Sequence, residues 1–350
     1  MKINIAKNFF TDREQLLVEH GGMKITAFRY STGVEALKVE NEKGYFINLP
    51  FKGQQIWKLH FGGRDLSMDT TIKEPVITKE YLKTYGGFLY HCGVSSMGAP
   101  DATHPHHGEI PNEDYQSAYI ECGEDENGKY ITVGGELDYD IAFVKKYKFA
   151  PSYRLYENDT VLKLNVSLEN MRCEPLEYAY LCHINFLPID GAKLVYNAES
   201  FKVHKVVSDS LPEEHKKALA GYMDRLQDDP TVGDIVGAEG QCYDPEICCT
   251  VIYKTGADNR AYTLQYLEGE GACYVNHPAD VLPYGIRWIS RTGTENSMGM
   301  VLPATAEHLG YEYTKANGQL KYLPGKGKLS FTLEAGWLDD ECAKQVMAKM

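Results

Sequence analysis

The chain has 350 residues, of which 43% are hydrophobic and 24% are charged, and its formal net charge at pH 7 is −13. A chain of this length can bury a sizeable core without disulfides or metals, as one large β domain or as two ordinary domains. The negative charge argues against a nucleic-acid partner, because phosphate binding needs concentrated Lys and Arg. No apolar run approaches the roughly 18–20 residues of a membrane span.

The cysteines and the first residues indicate the cellular compartment. Nine cysteines are scattered along the chain without a Cys-x-x-Cys pair, which is typical of reduced thiols rather than of a disulfide framework. The first residues lack the apolar block of a signal peptide. We therefore expect a cytoplasmic protein.

Short stretches that alternate polar and apolar residues run through most of the chain and predict β-strands. In chain order they lie within residues 23–48 and at residues 55–60, 86–93, 117–122, 129–136, 141–155, 160–170, 178–186, 247–253, 261–266, 298–302 and 329–333. Residues 212–228 predict a helix, with Pro212 and two acidic residues at its start, and residues 340–350 predict another. The pattern predicts an all-β fold, a large antiparallel β-sandwich with one or two peripheral helices, and we expect residues 1–350 to form a single domain.

Two segments carry the candidate chemistry. Residues 101–113 contain His104, His106, His107 and Glu109 in a stretch whose prolines and glycine prevent a regular helix. Imidazoles and carboxylates at such spacing favour acid–base catalysis or metal binding. Far along the chain, His183 lies in a strand-like run, and Asn185 alternates with it onto the same face.

Several residues fit a sugar ligand. Tyr90 and Trp288 lie in or near predicted strands, and aromatic faces pack on the C–H side of sugar rings. Arg287, beside Trp288, is a candidate partner for the carboxylate of an acidic sugar. A metal-dependent sugar isomerase is an alternative, with zinc or manganese held by ligands drawn from both segments. The alternative ligands are His104, His106, Glu109 and His183.

Four segments resemble a known superfamily. His106-His107-Gly108 resembles the Leu-His-Gly of aldose 1-epimerases, the galactose mutarotases, and residues 183–186 resemble their His-x-Tyr-Phe-Asn segment. Residues 320–333 resemble their closing Leu-x-Pro-Gly-Glu segment. Residues 86–93, Gly-Gly-Phe-Leu-Tyr-His-Cys-Gly, resemble a segment that an uncharacterised branch of the superfamily carries before the His-Gly motif.

The resemblance implies a sandwich of the supersandwich type, with a carbohydrate site on the concave face of the large sheet. It implies an isomerase that opens the ring of a free monosaccharide or sugar acid by acid–base catalysis without a cofactor. His183 would be the general acid, and His107 would hold hydroxyl groups near the reacting carbon. Leu302 stands near the position of the family's catalytic glutamate. The nearest carboxylates are Glu295 and Glu307, of which Glu307 is the candidate base, and the identity of the base is left open.

The resembling segments and the residues that fit a sugar together define a candidate substrate site. His106, Glu109, Asn185, Arg287, Trp288 and Tyr90 are the candidate substrate-binding residues. Because the glutamate position holds Leu302, a carbohydrate-binding protein without catalytic activity is a further alternative. The expected partner is a small-molecule sugar, and a homodimer is left open.

Overall fold

The computed structural model describes residues 1–256 and 258–350, which form two large antiparallel β-sheets and three α-helices. The all-β prediction is confirmed. In the described part of the chain, no helix has both the length and the apolar character that crossing a membrane requires. All nine cysteines are free thiols, and five of them are buried.

The described residues form 23 strands. In chain order they are β1 (Lys2–Ile5), β2 (Gln15–His20), β3 (Met23–Arg29), β4 (Glu35–Asn41), β5 (Gly44–Asn48), β6 (Ile56–Phe61), β7 (Arg64–Asp65), β8 (Leu89–Val94), β9 (Ser117–Asp125), β10 (Gly128–Ile141), β11 (Lys145–Phe149), β12 (Ser152–Tyr156), β13 (Val161–Asn170), β14 (Leu176–Ile184), β15 (Lys193–Tyr196), β16 (Ala198–Val203), β17 (Ile247–Tyr253), β18 (Arg260–Leu267), β19 (Gly271–Pro278), β20 (Tyr284–Arg291), β21 (Asn296–Ala304), β22 (Lys321–Leu323) and β23 (Lys328–Leu338). The helices are α1 (Glu213–Asp228), α2 (Tyr311–Ala316) and α3 (Asp340–Met347), and one of the short 3-10 turns is Tyr81–Thr84.

The sheet order places β14 in the middle of the larger sheet. This 13-stranded sheet runs β16-β17-β20-β21-β14-β8-β6-β5-β4-β3-β2, with β22 paired to β14 and β7 to β6. The ten-stranded sheet runs β1-β9-β10-β11-β13-β23-β19-β18-β15, with β12 paired to β10 and β13. Strand β14, which carries His183, therefore joins the N-terminal strands of the larger sheet to the C-terminal ones.

The main core lies between the two sheets and follows from the alternation of apolar residues. Leu162, Leu164, Val166 and Leu168 of β13 are buried at every second position, as expected for a strand that faces a core on one side. A buried polar contact also joins the sheets. His91 of β8 bonds through Nδ1 to the Tyr180 hydroxyl and through Nε2 to the Tyr153 hydroxyl, both at 2.7 Å.

The two predicted helices are confirmed with small changes of their bounds. Helix α1 begins at Glu213 and buries Leu219, Tyr222, Met223 and Leu226, and the Asp339 side chain caps α3 by accepting from the Cys342 amide at 2.8 Å. Helix α2 was not predicted. It has only six residues, which is too short for helical periodicity to stand out.

The single strand predicted over residues 141–155 is wrong. Strand β10 ends at Ile141, and the chain turns through a hairpin tip at which Phe143 has φ 66° and is 98% exposed. Strands β11 and β12 follow, separated at Pro151, which has no N–H to donate to a ladder. Apolar residues at an exposed turn imitate a strand in the sequence.

Strands β19 and β20 were missed for the opposite reason. Most of their residues are buried, so the two strands show no polar–apolar alternation.

A second hydrophobic cluster covers the opposite face of the larger sheet. Leu181, Ile286 and Leu302 belong to it, whereas Cys182 and Ile184, which alternate with Leu181 along β14, belong to the main core. Ile286 pairs with Leu302 across β20 and β21, and Leu181 pairs with Ala304 across β14 and β21. The larger sheet is therefore apolar on both faces here, and its outer face carries the cavity described next.

Candidate functional site

A cavity of about 320 Å³ lies on this outer face of the larger sheet. Its walls combine imidazoles, aromatic rings and aliphatic side chains. The imidazoles belong to His106, His107, His183, His204 and His308. His107 and His183, which are far apart in the sequence, lie with ring centroids 5.1 Å apart and ring planes at 87°. The sequence predicts that these two histidines meet in one cavity, and in the structure they do.

The hydrogen bonds of His183 define its protonation. Its Nδ1 lies 2.8 Å from Oδ1 of Asn185, whose amide nitrogen donates to the Gly87 carbonyl at 3.1 Å. Because the amide nitrogen is committed to a carbonyl, Oδ1 must accept, and Nδ1 of His183 carries the proton. Burial lowers the pKa of His183 to about 3, so the ring is neutral at pH 7. In this neutral tautomer Nε2 carries a lone pair.

Tyr85 leaves that lone pair available. Its hydroxyl oxygen lies 3.4 Å from both ring nitrogens of His183 but only 3.1 Å from Oδ1 of Asn185. A hydroxyl has one proton to donate, and the shorter contact with the amide oxygen takes it. Nε2 of His183 can therefore accept a hydrogen bond from a ligand.

His107 has the complementary tautomer. The Gly98 amide donates to its Nδ1 at 3.3 Å, so Nδ1 must carry the lone pair and Nε2 the proton. Burial, together with the neighbouring His183 ring, holds the pKa of His107 well below its usual range. Of the two neighbouring rings that line the cavity, His183 thus has an acceptor at Nε2 and His107 a donor at Nε2.

The loop that carries His107 is fixed by backbone geometry. The His107 carbonyl accepts from the Gly93 amide at 2.9 Å, and the His107 amide donates to the Gly98 carbonyl at 2.9 Å. His107 has φ 61° and Gly108 has φ 82°. A Cβ at Gly108 would collide with the carbonyl oxygens of Gly93 and Ser96. The His-Gly motif therefore requires its glycine for backbone conformation and close approach.

His204 and His308 form a second imidazole pair, with centroids 4.6 Å apart and planes at 90°. His204 bonds through Nε2 to the Thr250 hydroxyl at 2.7 Å, and that hydroxyl donates towards Oε1 of Glu307 at 3.4 Å. Nδ1 of His308 lies 3.6 Å from Sγ of Cys248. His204 follows β16, which is four strands away from the β14 of His183.

Aromatic side chains close one side of the cavity. Tyr81 packs on His107 with centroids 4.7 Å apart, Tyr85 lies 5.5 Å from His183, and Trp288 lies 5.6 Å from His183. The Trp288 indole donates to Oε2 of Glu246 at 2.6 Å. Glu246 is exposed and is the one carboxylate among the described residues that line the cavity.

Five other predicted site residues lie outside the lining. Tyr90 and Asn185 stand behind it: the Tyr90 hydroxyl accepts from the Gly86 and Gly87 amides, and Asn185 orients His183. The Glu109 carboxylate accepts from the Ser95 hydroxyl and from the Tyr147 hydroxyl, both at 2.7 Å, and these bonds hold the loop that carries His107 in place.

Arg287 and Glu307 are the other two. The buried Arg287 guanidinium lies 4.0 Å from the centre of the Tyr196 ring and donates to the Met300 carbonyl. Glu307 accepts from Lys202 at 2.8 Å, Tyr313 at 2.8 Å and Gln319 at 2.9 Å. Burial opposes its ionisation, but these donors lower its pKa to about 2. At pH 7 Glu307 is a fully bonded carboxylate behind His204, in contact with Thr250 rather than with the cavity.

The four alternative metal ligands are not brought together. His104 bonds to Asp101 at 2.9 Å and stacks on Tyr311 at 4.3 Å, and Glu109 is committed to the loop. Within residues 1–256 and 258–350, no group of three or more His, Cys, Asp or Glu side chains is arranged to hold a metal ion.

Sequence reasoning missed several lining residues. Among them are Tyr81, Tyr85, His204, Glu246 and Cys248. Tyr81 and Tyr85 lie just before the Gly86-Gly87 pair, which was the one local signal for them. The other three depend on the order of strands in the sheet, which the local sequence does not encode.

Comparisons with known proteins agree with the fold. No curated protein matches the sequence. The structure is similar to that of a protein from Klebsiella pneumoniae subsp. pneumoniae provisionally named an aldose 1-epimerase, with 16% identity, a TM-score of 0.79 and coverage of 100% of this chain and 90% of that one. It is also similar to a galactose mutarotase-like protein from Clostridium acetobutylicum, with 13% identity, a TM-score of 0.61 and coverage of 91% and 100%. The model of DUF4432, a domain of unknown function, matches residues 31–336. The chain has the galactose mutarotase-like fold and belongs to the DUF4432 family.

Proposed function

We propose that this protein interconverts the anomers of a free monosaccharide by acid–base opening of the sugar ring. One observation carries the proposal: two neutral imidazoles meet in a monosaccharide-sized cavity with complementary nitrogens, an acceptor on His183 and a donor on His107. Opening a hemiacetal removes a proton from the anomeric hydroxyl and delivers one to the ring oxygen. Both transfers need a positioned partner, and each positioned acid or base contributes about 10²–10⁴-fold. The names of the structural neighbours support the same class of reaction.

In the proposed reaction His183 is the first proton acceptor, rather than the initial acid that the resemblance implies. Nε2 of His183 takes the proton of the anomeric hydroxyl while the bond from the anomeric carbon to the ring oxygen breaks. The bonding electrons go to the ring oxygen, which receives a hydrogen bond from Nε2–H of His107. Until the bond broke, the ring oxygen and the anomeric oxygen were bonded to the same carbon, so the ring oxygen still lies near His183 and takes a proton from its imidazolium. Rotation about the bond between the first two carbons and reversal of these steps gives the other anomer.

Glu307 has no part in this proposal, because all its contacts are with residues outside the cavity lining except His204. His106, Tyr85 and Trp288 line the cavity and are proposed to hold the sugar ring. Asn185 is proposed to act through His183, as a positioning residue.

The test is exchange NMR of anomers over a panel of free sugars. We expect the protein to accelerate the exchange of at least one sugar above the buffer rate, and we expect His183→Gln to abolish the acceleration. His104→Gln is the matched control, because His104 belongs to the same histidine-rich segment as His107 but bonds to Asp101 outside the cavity. Buffer-level exchange for every sugar, or full activity in His183→Gln, would refute the proposal.

A carbohydrate-binding protein without catalysis is the second candidate. It is favoured by Leu302, which lines the cavity near the position at which the resemblance places the catalytic glutamate. Measurable sugar affinity without accelerated exchange, and unchanged by His183→Gln, would support this candidate over the first.

A further inference from the structure

We propose that the cavity selects neutral sugars that lack the hydroxyl at carbon 6, the 6-deoxyhexoses, over the corresponding hexoses and hexuronic acids. This inference rests on the proposed function for the orientation of the sugar ring. It adds the chemical class of the substrate.

An apolar strip runs along the cavity floor. Leu181, Ile286 and Leu302 line the cavity and are at most 1% exposed. They come from three adjacent strands, and the pairing of Ile286 with Leu302 makes the strip continuous. These three side chains carry no polar atom. A sugar hydroxyl pressed against them would lose its hydrogen bonds to water and gain none from the strip.

The strip begins next to His183. Leu181 and His183 are two residues apart on β14, so their side chains leave the same face of the strand about 7 Å apart. The ring oxygen must lie at the His183–His107 pair for the proposed reaction. Carbon 5 is bonded to that oxygen, so its substituent lies close to the pair, and in the orientation proposed here it points to the beginning of the strip. A methyl group there gains apolar contact, whereas a hydroxymethyl group buries an unpaired hydroxyl.

The charge of the cavity disfavours an anionic sugar. Among the residues that the structure describes, no Lys or Arg lines it, and its histidines are held neutral by burial. The one lining carboxylate, Glu246, bonds to the Trp288 indole at 2.6 Å. A carboxylate or phosphate on the sugar would meet a like charge and no cation, so acidic sugars are disfavoured.

The test compares sugars that differ by a single hydroxyl. The pairs are D-fucose with D-galactose, L-rhamnose with L-mannose and D-quinovose with D-glucose, with D-galacturonic acid as the charged member. Exchange NMR gives kcat/KM for each sugar, and ligand-observed NMR titration gives Kd. In every pair whose exchange is accelerated, we expect kcat/KM of the deoxy sugar to be at least about tenfold higher, since one unpaired buried hydroxyl has an effect of that order.

Two variants sharpen the test. Leu302→Gln places a carboxamide in the strip that can pair with a hydroxyl, so we expect it to lower the deoxy-to-hydroxy ratio of kcat/KM about tenfold. Leu302→Met keeps the strip apolar and should keep the ratio. The ratio is measured on one protein sample, so a partly unfolded variant changes both members of a pair alike. If Leu302→Gln does not fold, the wild-type ratios decide alone.

The outcomes separate this inference from the proposed function. Accelerated exchange with equal or higher kcat/KM for the hexose or the hexuronate would overturn the inference and leave the function standing. Buffer-level exchange with tighter binding of the deoxy sugars would overturn the function and support the inference as a statement about the ligand. If no sugar shows accelerated exchange and no deoxy sugar binds more tightly than its partner, both the proposed function and this inference are overturned.

Discussion

Replacing Asn185 by leucine tests how the site controls its key imidazole. The substitution removes the acceptor for Nδ1–H of His183 at 2.8 Å and the donor to the Gly87 carbonyl at 3.1 Å. Both partners are buried, and each buried polar group left without a partner costs about 1–3 kcal/mol, so we expect the free energy of unfolding to fall by about 2–6 kcal/mol. His183 also loses the contact that keeps the proton on Nδ1. With the proton on Nε2 the ring cannot accept one from the sugar, and we expect anomer exchange to slow about 10²-fold.

Two measurements check this prediction separately. Urea unfolding gives the loss of stability, and nitrogen NMR of the His183 ring reports which nitrogen is protonated. The matched control is Asn170→Leu, because the Asn170 side chain is also buried and donates to the carbonyls of Glu174, Leu323 and Pro324 far from the cavity lining. The control should lose stability and keep its exchange rate. Wild-type protein with the proton on Nε2 of His183, or unchanged exchange in Asn185→Leu, would refute the assignment of the proton acceptor.

Three further predictions follow from the contacts described above. Glu307→Gln should reduce the free energy of unfolding by about 1.5–3 kcal/mol, since its charged hydrogen bonds are lost, but should change anomer exchange less than tenfold; a fall of about 10²–10⁴-fold would instead assign Glu307 as the base. Trp288→Ala should weaken sugar binding about tenfold in an NMR titration, or ~1.4 kcal/mol, and an unchanged Kd would remove Trp288 from the sugar site. His277 is fully buried, neither ring nitrogen has a partner among the described residues, and burial lowers its pKa to about 3. The unfolded chain therefore binds a proton at His277 below about pH 6.5, whereas the folded chain binds it only near pH 3. The free energy of unfolding falls as pH falls through that window, and by pH 5 the loss is about 2 kcal/mol. In His277→Leu the stability difference between pH 7 and pH 5, measured by urea unfolding, should shrink by that amount, and an unchanged difference would contradict the prediction.

The sequence predicted the fold class because period-two alternation is a local signal. It also predicted that His107 and His183 would meet, through the order of the segments that resemble the aldose 1-epimerases. It did not predict His204, because the position of β16 at the edge of the larger sheet follows from the strand order β16-β17-β20-β21-β14. Pairing between distant strands is decided by packing of the whole chain rather than by any one segment.

Arg287 and Trp288 show what a single missed strand changes. Both were predicted to bind substrate, but neighbouring residues of a strand point to opposite faces. Once β20 is recognised, only one of the two can face the cavity. Trp288 lines it together with Ile286, and the intervening Arg287 packs against Tyr196 instead. Glu307 lies outside the cavity lining for a different reason. The chain beyond β21 directs its carboxylate to Lys202, and no local sequence pattern predicts that contact.

The mouth of the cavity is built differently from its floor. Leu181 is next to Cys182 of the inter-sheet core on β14. A change of side-chain volume at the cavity floor therefore also disturbs the packing between the two sheets. Leu82 and Val206 lie at the mouth, outside the strands, and are 64% and 73% exposed. Substitutions at such exposed positions usually alter stability by less than about 0.5 kcal/mol. Substitutions at the entrance can therefore reshape the cavity with little effect on stability, whereas a substitution at its base changes the packing of the core as well.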